Sequence, residues 1–244
     1  MSWISEVKTS SKACFKAFEN VLFPPKCCVC FELERDAICV DCAAALKPLR
    51  IGSCERCGID DAGDNVTCSW LSSVDVIRPA VDYIGTGGEA VKRLKFNRSL
   101  ELAEPMAMRM KEAADSLRFD YLAPVPIHWS RRSHRGFNQS ELLAKLMAIG
   151  PVRSKLLVRT RATWPQSRST GNVRRTALEG AFEAKPCSGA RVLLVDDVIT
   201  SGGTVEACAL ALKARGASWV GAVSFAIELP LGFWQRQASG SSIP

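Results

Sequence analysis

Residues 192–204, Val-Leu-Leu-Val-Asp-Asp-Val-Ile-Thr-Ser-Gly-Gly-Thr, constrain this chain more than any other stretch. The apolar run Val192–Val195 reads as a buried strand. It delivers Asp196 and Asp197 to its C-terminal end, and a turn rich in hydroxyls and glycine follows before an Ala-rich helix begins. Such a turn has the physics of a phosphate cradle. Backbone N–H groups and a helix N-terminus face the anion, Thr200, Ser201 and Thr204 add hydroxyl donors, and Gly202 and Gly203 permit close approach. The two carboxylates repel that phosphate. Their targets are ribose hydroxyls, directly or through a shared Mg²⁺. The segment therefore suits a sugar with a 5′-phosphate at one end and a vicinal diol in the middle.

The rest of residues 74–229 alternates strand and helix patterns. Strands are predicted at Ala80–Ile84, Tyr121–Pro126, Lys155–Val158, Val192–Val195 and Trp219–Ile227. Helices are predicted at Glu89–Lys95, Leu100–Ala114, Gln139–Ile149 and Gly203–Arg215, with residues 160–180 a polar, basic loop. That alternation predicts an α/β fold with a mostly parallel sheet and helices on both faces. Residues 1–25 hold an amphipathic helix over 3–22 that Pro24 and Pro25 end, and residues 230–244 form a frayed tail. No uncharged apolar run approaches the roughly 20 residues that span a bilayer. Glu6, Lys8 and Lys12 break any signal-peptide core, so the expectation is a cytoplasmic protein.

Residues 26–73 differ in kind. Nine of the 11 cysteines lie at or before Cys68, in short polar segments with little core material. Cys27-x2-Cys30 and Cys39-x2-Cys42 each place two thiolates on one turn, and two such turns facing each other suit tetrahedral Zn²⁺. Cys28 is the register alternative in the first pair. Cys54, Cys57 and Cys68 form a second set without a fourth cysteine, since Leu71 stands at the partner position. Asp60, Asp61, Asp64 or a water completes that shell, or the site is degenerate. The module reads as a structural clamp. Net charge is +7, yet residues 131–175 carry eleven Lys/Arg against Glu141 alone, +10, leaving −3 for the remainder. The partner of that segment is anionic: a phosphate ligand, a nucleic acid, or both.

Residues 192–204 resemble the signature of type I phosphoribosyltransferases, which bind 5-phosphoribosyl-1-pyrophosphate (PRPP) in this way. Three further stretches are similar to the ComF family of competence-associated, phosphoribosyltransferase-like proteins. They are the cysteine knuckles after Phe23-Pro-Pro; Pro124-Val-Pro126 followed by Arg131 and Arg135-Gly-Phe-Asn138-Gln139; and Arg161-x-Thr163-x-x-Gln166 running to Arg174 and Gly180-Ala-Phe182. The resemblance spans residues 20–228. This chain departs from the family pattern at Leu71 and at Ala177.

The resemblance implies a type I phosphoribosyltransferase-like fold with a small zinc-ribbon-like N-terminal module. It implies PRPP with Mg²⁺ as ligand, held by Asp196, Asp197, Thr200, Ser201, Gly202, Gly203 and Thr204, with Arg131, Arg132 and Arg135 answering the pyrophosphate. Asp196, Asp197 and Arg135 are the implied catalytic set, and residues 160–175 a hood over it. A role in DNA uptake follows, with transfer of a phosphoribosyl group to an unidentified acceptor. The alternative is a non-catalytic PRPP sensor that binds single-stranded DNA in uptake or recombination, beside competence or recombination proteins. A third reading is a structural adaptor that recruits a protein through the zinc region.

Other signals carry less. Gly85-Thr-Gly87-Gly88-Glu89-Ala90 fits G-x-G-x-x-A, but the acid expected after a second strand is missing, so it reads as a glycine-rich turn. His128 and His134 read as surface or phosphate-loop residues. Cys187 and Cys208 read as small packing side chains. Lys92, Arg93 and Lys95 form a solvated helix face or the rim of the anion site.

Overall fold

The computed structural model describes residues 24–46, 48–49, 71–161, 178 and 180–228. The N-terminal helix over 3–22, the second cysteine set (Cys54, Cys57, Cys68), most of the 160–175 hood and the C-terminal tail lie outside the described residues.

Strands β1 (Val76–Asp82), β2 (Tyr121–Pro124), β5 (Arg191–Ile199) and β6 (Trp219–Ile227) form one sheet in the order β1-β6-β5-β2. Every pairing in it is parallel. Parallel strands need crossovers that cover both faces, so their sequences run apolar without alternation. That is why Val192–Val195 and almost all of β6 are buried. Helices α3 (Ala103–Ala114) and α5 (Gln139–Met147) cover one face. Met106, Met110, Leu143 and Met147 pack there on Leu193, Val195 and Phe225. Helix α6 (Gly203–Ala214) covers the other, with Val205, Cys208, Ala209 and Leu212 on Val192, Leu194 and Val220. Two short strands, β3 (Leu157–Arg159) and β4 (Phe182–Ala184), make a separate antiparallel ribbon that brackets the hood segment.

Several elements depart from the sequence expectation for identifiable reasons. Strand β1 begins at Val76 and runs through Pro79, because it is an edge strand and one proline N–H is not needed there. The helix at the end of β1, α2 (Thr86–Lys92), starts before Glu89 and passes into a π-turn at Arg93–Asn97. A helix absent from the sequence reading, α4 (Trp129–Arg135), is capped by His128 and closed by Gly136 at φ 85°. It has no apolar stripe to betray it. Strand β5 continues to Ile199 rather than stopping at Val195, so Asp196 and Asp197 lie within it.

The glycine-rich turn after β1 has a packing cause. A Cβ on Gly87 would collide with the Asp82 carbonyl oxygen, and one on Gly88 with that of Tyr83. At the start of α6, buried Glu206 accepts hydrogen bonds from Ser72 Oγ (2.9 Å) and Ser73 N (3.0 Å), which ties the segment before β1 to the helix. Gly87→Ala would gain about 1 kcal/mol of helix propensity. It would lose about 1–3 kcal/mol to overpacking against a backbone atom that cannot rotate away. Net destabilisation in urea unfolding is the expected result; a variant as stable as the parent would contradict the close approach.

Candidate functional site

The parallel sheet has a switch point where its crossovers reverse. The β5–β6 connection passes over the α6 face, while α3 and α5, which flank β2 in the chain, cover the opposite one. Ligands in open α/β sheets bind at the carboxyl ends of strands at such a point. Here the ladder between β2 and β5 ends at Pro124 opposite Val195, whereas β5 stays paired with β6 as far as Ile199. Asp196 and Asp197 are the first β5 residues beyond the β2 ladder.

Neighbouring elements hold the two carboxylates differently. Ser140 Oγ, in the first turn of α5, donates to Asp196 Oδ1 at 3.0 Å, and the Asp197 N–H donates to the same atom at 2.9 Å. Asp197 is 5% exposed, and its Oδ1 lies 2.9 Å from Lys95 Nζ in the π-turn. Removal from water, then the adjacent Asp197 charge, pushes the Asp196 carboxyl up to about 7 against the pull of Lys95 and Ser140. Both Oδ2 atoms stay outside the hydrogen bonds of the described residues. They are hard oxygen donors, the type that suits Mg²⁺ or a ribose diol.

Around this pair the chain assembles donors. Asn138 caps α5: its Oδ1 accepts from Ser140 N, and its Nδ2 donates to the Val125 carbonyl beyond β2, fixing α5 to the strand end. Gln139 is 1% exposed, accepts from Arg135 Nη1 at 3.3 Å, and leaves its buried Nε2 without a partner among the described residues. The Arg135 guanidinium stands 5.2 Å from the ring of Phe96, the residue after Lys95. The motif Arg135-Gly-Phe-Asn-Gln139 is thus a C-cap, a turn and an N-cap in succession. The Thr200–Thr204 turn follows the acids, between the end of β5 and the first turn of α6. Gly202 adopts φ 69°, the left-handed region that favours glycine, and a Cβ on Gly203, which opens α6, would come within 3.2 Å of Leu178 Cδ1. No hydrogen bond among the described residues engages the Thr200, Ser201 or Thr204 hydroxyls, and the first N–H groups of α6 have no helical acceptor.

Arg132 is exposed on α4, while the side chains of Arg131 and His134 lie outside the described structure. His128 is not a surface residue. It is 9% exposed, and its Nδ1 caps α4 by accepting from Ser130 N at 3.3 Å. Lys95 pairs directly with Asp197. Its only sequence signal was a place among the cations of a helix rim.

The cysteine module lies at the edge of the same face. Sγ atoms of Cys27, Cys30, Cys39 and Cys42 are all within 4.8 Å of one another, so this cluster can hold a metal ion such as zinc. Cys27, not Cys28, completes the set. The Val29 and Cys39 N–H groups donate to Cys27 Sγ at 3.4 and 3.3 Å, and Cys39 caps α1 (Val40–Ala45) through Sγ. Burial opposes ionisation of Cys27, yet the backbone groups of Cys30, Cys39 and Val29 outweigh it and bring its thiol down to about 6. Cys27, Val29, Cys42 and Leu46 pack into the core layer that contains Val81 and Val91.

Comparison with known proteins fits this geometry. The phosphoribosyl transferase domain family matches residues 140–229, from α5 through the acids and the hydroxyl-glycine turn to the end of β6. The DNA utilization protein YhgH of Salmonella typhimurium is 33% identical over 220 residues, covering 81% of this chain and 94% of that protein. Competence protein F of Haemophilus influenzae is 29% identical over 148 residues, covering 55% of this chain and 65% of that protein. Competence protein ComFC of Bacillus subtilis is 25% identical over 195 residues, covering 74% and 80%. The fold is of the phosphoribosyltransferase type, with a cysteine module before it. No helix among the described residues is long and apolar enough to cross a membrane.

Two outcomes test the site. Metal analysis of the purified protein should return at least one zinc per chain, reduced by Cys39→Ser; metal-free, folded protein would contradict the clamp. For Asp196, the folded value of about 7 exceeds the unfolded value of about 4. A raised carboxyl contributes stability below pH 4 and loses it as pH rises through 7. In Mg²⁺-free buffer, the stability of the parent relative to Asp196→Asn should therefore fall between pH 4 and 7. A pH-independent difference would contradict the burial.

Proposed function

We propose, for a chain that belongs to the ComF family of competence-associated, phosphoribosyltransferase-like proteins, that the crevice beyond β2 and β5 binds PRPP with Mg²⁺. The observation that carries the reading is the pairing of Asp196 and Asp197 with the Thr200–Thr204 turn at the sheet's switch point. The turn and the α6 N-terminus take the 5′-phosphate through N–H and hydroxyl donors. The ribose diol lies over the free Oδ2 atoms. Arg135, with Arg131 and Arg132 on α4, meets the pyrophosphate, where a planar guanidinium matches two oxygens at once.

When bound, Mg²⁺ neutralises charge on the departing pyrophosphate. This chain's own part is positional and electrostatic. Cleavage at C1 builds positive charge on the ribose and negative charge on the leaving group, which the carboxylates and arginines respectively stabilise. Ligand entry displaces Lys95 from Asp197, or draws its ammonium onto a phosphate oxygen. Either move leaves Asp197 free for the sugar. Because Asp196 binds as an anion, affinity rises between pH 6 and 8.

The names of the relatives point to DNA use and competence, and by that likeness this chain serves DNA uptake. Transfer to an acceptor is the leading reading. A PRPP sensor that holds single-stranded DNA is the second, favoured by those names and by the +10 balance of residues 131–175. Pyrophosphate release with an acceptor marks the first; saturable PRPP binding without turnover marks the second. Under both, Asp196→Ala with Asp197→Ala should abolish the calorimetric signal for PRPP and leave the melting profile cooperative. Undiminished binding by the double variant would overturn the assignment.

A further inference from the structure

The opposite end of the sheet carries a second basic site. Tyr121 opens β2, pairs with Val192, and so stands four residues of strand before Asp196, roughly 13 Å away along the sheet. With Arg153, Lys155, Leu156, Lys185 and Pro186 it lines a cavity of ≈ 310 Å³. Among the described residues no carboxylate lines this cavity. The three cations arrive from separate places: Arg153 after the bridge that pairs Val152 with Leu122, Lys155 from the next turn, and Lys185 just past β4. All three are exposed, and none makes an ion pair among the described residues.

Aromatic rings are interleaved with charge along this edge. The Arg153 guanidinium lies 5.4 Å from the Tyr121 ring. Next along the sheet, Arg191 at the start of β5 lies 4.5 Å from the ring of Trp219, its register partner at the start of β6. Asp120 beside them is engaged by the Arg191 N–H at 2.8 Å. Three exposed cations hold a lone phosphate weakly, because each contact in water contributes little. A polyanion sums such contacts and gains free energy from released counterions, and the guanidinium groups of Arg153 and Arg191, lying over the Tyr121 and Trp219 rings, offer planar surfaces on which unpaired bases stack. The magnitudes therefore favour a polymer over a small anion.

We infer that this cavity, at the sheet end remote from the carboxylate pair, is a docking site for the phosphodiester backbone of single-stranded nucleic acid. The choice of nucleic acid over another polyanion rests on the reading of the chain as a DNA-use protein. The two ends of the sheet can then be occupied together, phosphoribosyl ligand at one and strand at the other.

The test uses the full, zinc-replete chain and a labelled oligothymidylate followed by fluorescence anisotropy across a salt series. The triple variant Arg153→Ala, Lys155→Ala, Lys185→Ala should bind about tenfold or more weakly, with the salt slope reduced by about 2. Arg153→Lys, Lys155→Arg, Lys185→Arg should retain binding, and calorimetric PRPP binding should be unchanged in both. Unaltered oligonucleotide affinity in the triple alanine variant overturns the location while leaving DNA binding in place. Parent protein that binds PRPP but no oligonucleotide overturns both this site and the DNA reading, and spares the phosphoribosyl site. Displacement of the oligonucleotide by low concentrations of inorganic phosphate or a mononucleotide would make it a small-anion site instead.

Discussion

The site depends on an uneven sheet edge. Strand β5 is paired on both sides as far as Val195 and on one side only from Asp196 to Ile199. Pairing with β6 keeps the acids in extended backbone, while the ladder with β2 has ended one residue before them. A carboxylate on a loose loop would be solvated and mobile. Here one is pressed against Ser140 and the other against Lys95, so their positions are set before any ligand arrives. Taking a carboxyl out of water and setting it beside a second one is costly, and the raised Asp196 carboxyl is the form that cost takes. The whole site is built the same way. Asn138 fixes α5 to the end of β2, and Gly202 allows the turn from β5 into α6.

The cysteine module solves a different problem. It has few large apolar side chains, and the exposed positions of Phe31, Leu33 and Val40 show how little of it a core can hold. Four thiolates converging within 4.8 Å offer a metal the means to replace that core. Its buried residues, Cys27, Cys42 and Leu46, join the α3 and α5 face, and Pro48 bridges to Val81, so the module is anchored at the β1 edge.

What the sequence revealed followed the strength of local signals. Strand β6 and helix α6 have continuous apolar or Ala-rich character, and both stand where the pattern put them. The two C-x2-C pairs encode a tight geometry in few residues, and they meet as the spacing implied. Elements whose cause is tertiary were missed. Helix α4 is a cap-to-cap segment of polar and basic residues, and β4 exists only because β3 lies beside it. The extension of β5 depends on β6, which no local window can include. Lys95 was legible as a cation and not as the partner of Asp197, because their contact joins residues a hundred positions apart. His128 reads from the sequence as a surface or phosphate-loop residue, yet its backbone position makes it a helix cap.

Phosphorus NMR of PRPP titrated with the protein in the presence of Mg²⁺ addresses the central claim directly, because the sugar phosphate and the pyrophosphate report separately. The account predicts saturable one-to-one perturbation of both groups, the 5′-phosphate through the Thr200–Thr204 turn and the pyrophosphate through the arginine side. Unperturbed resonances at stoichiometric protein would contradict it.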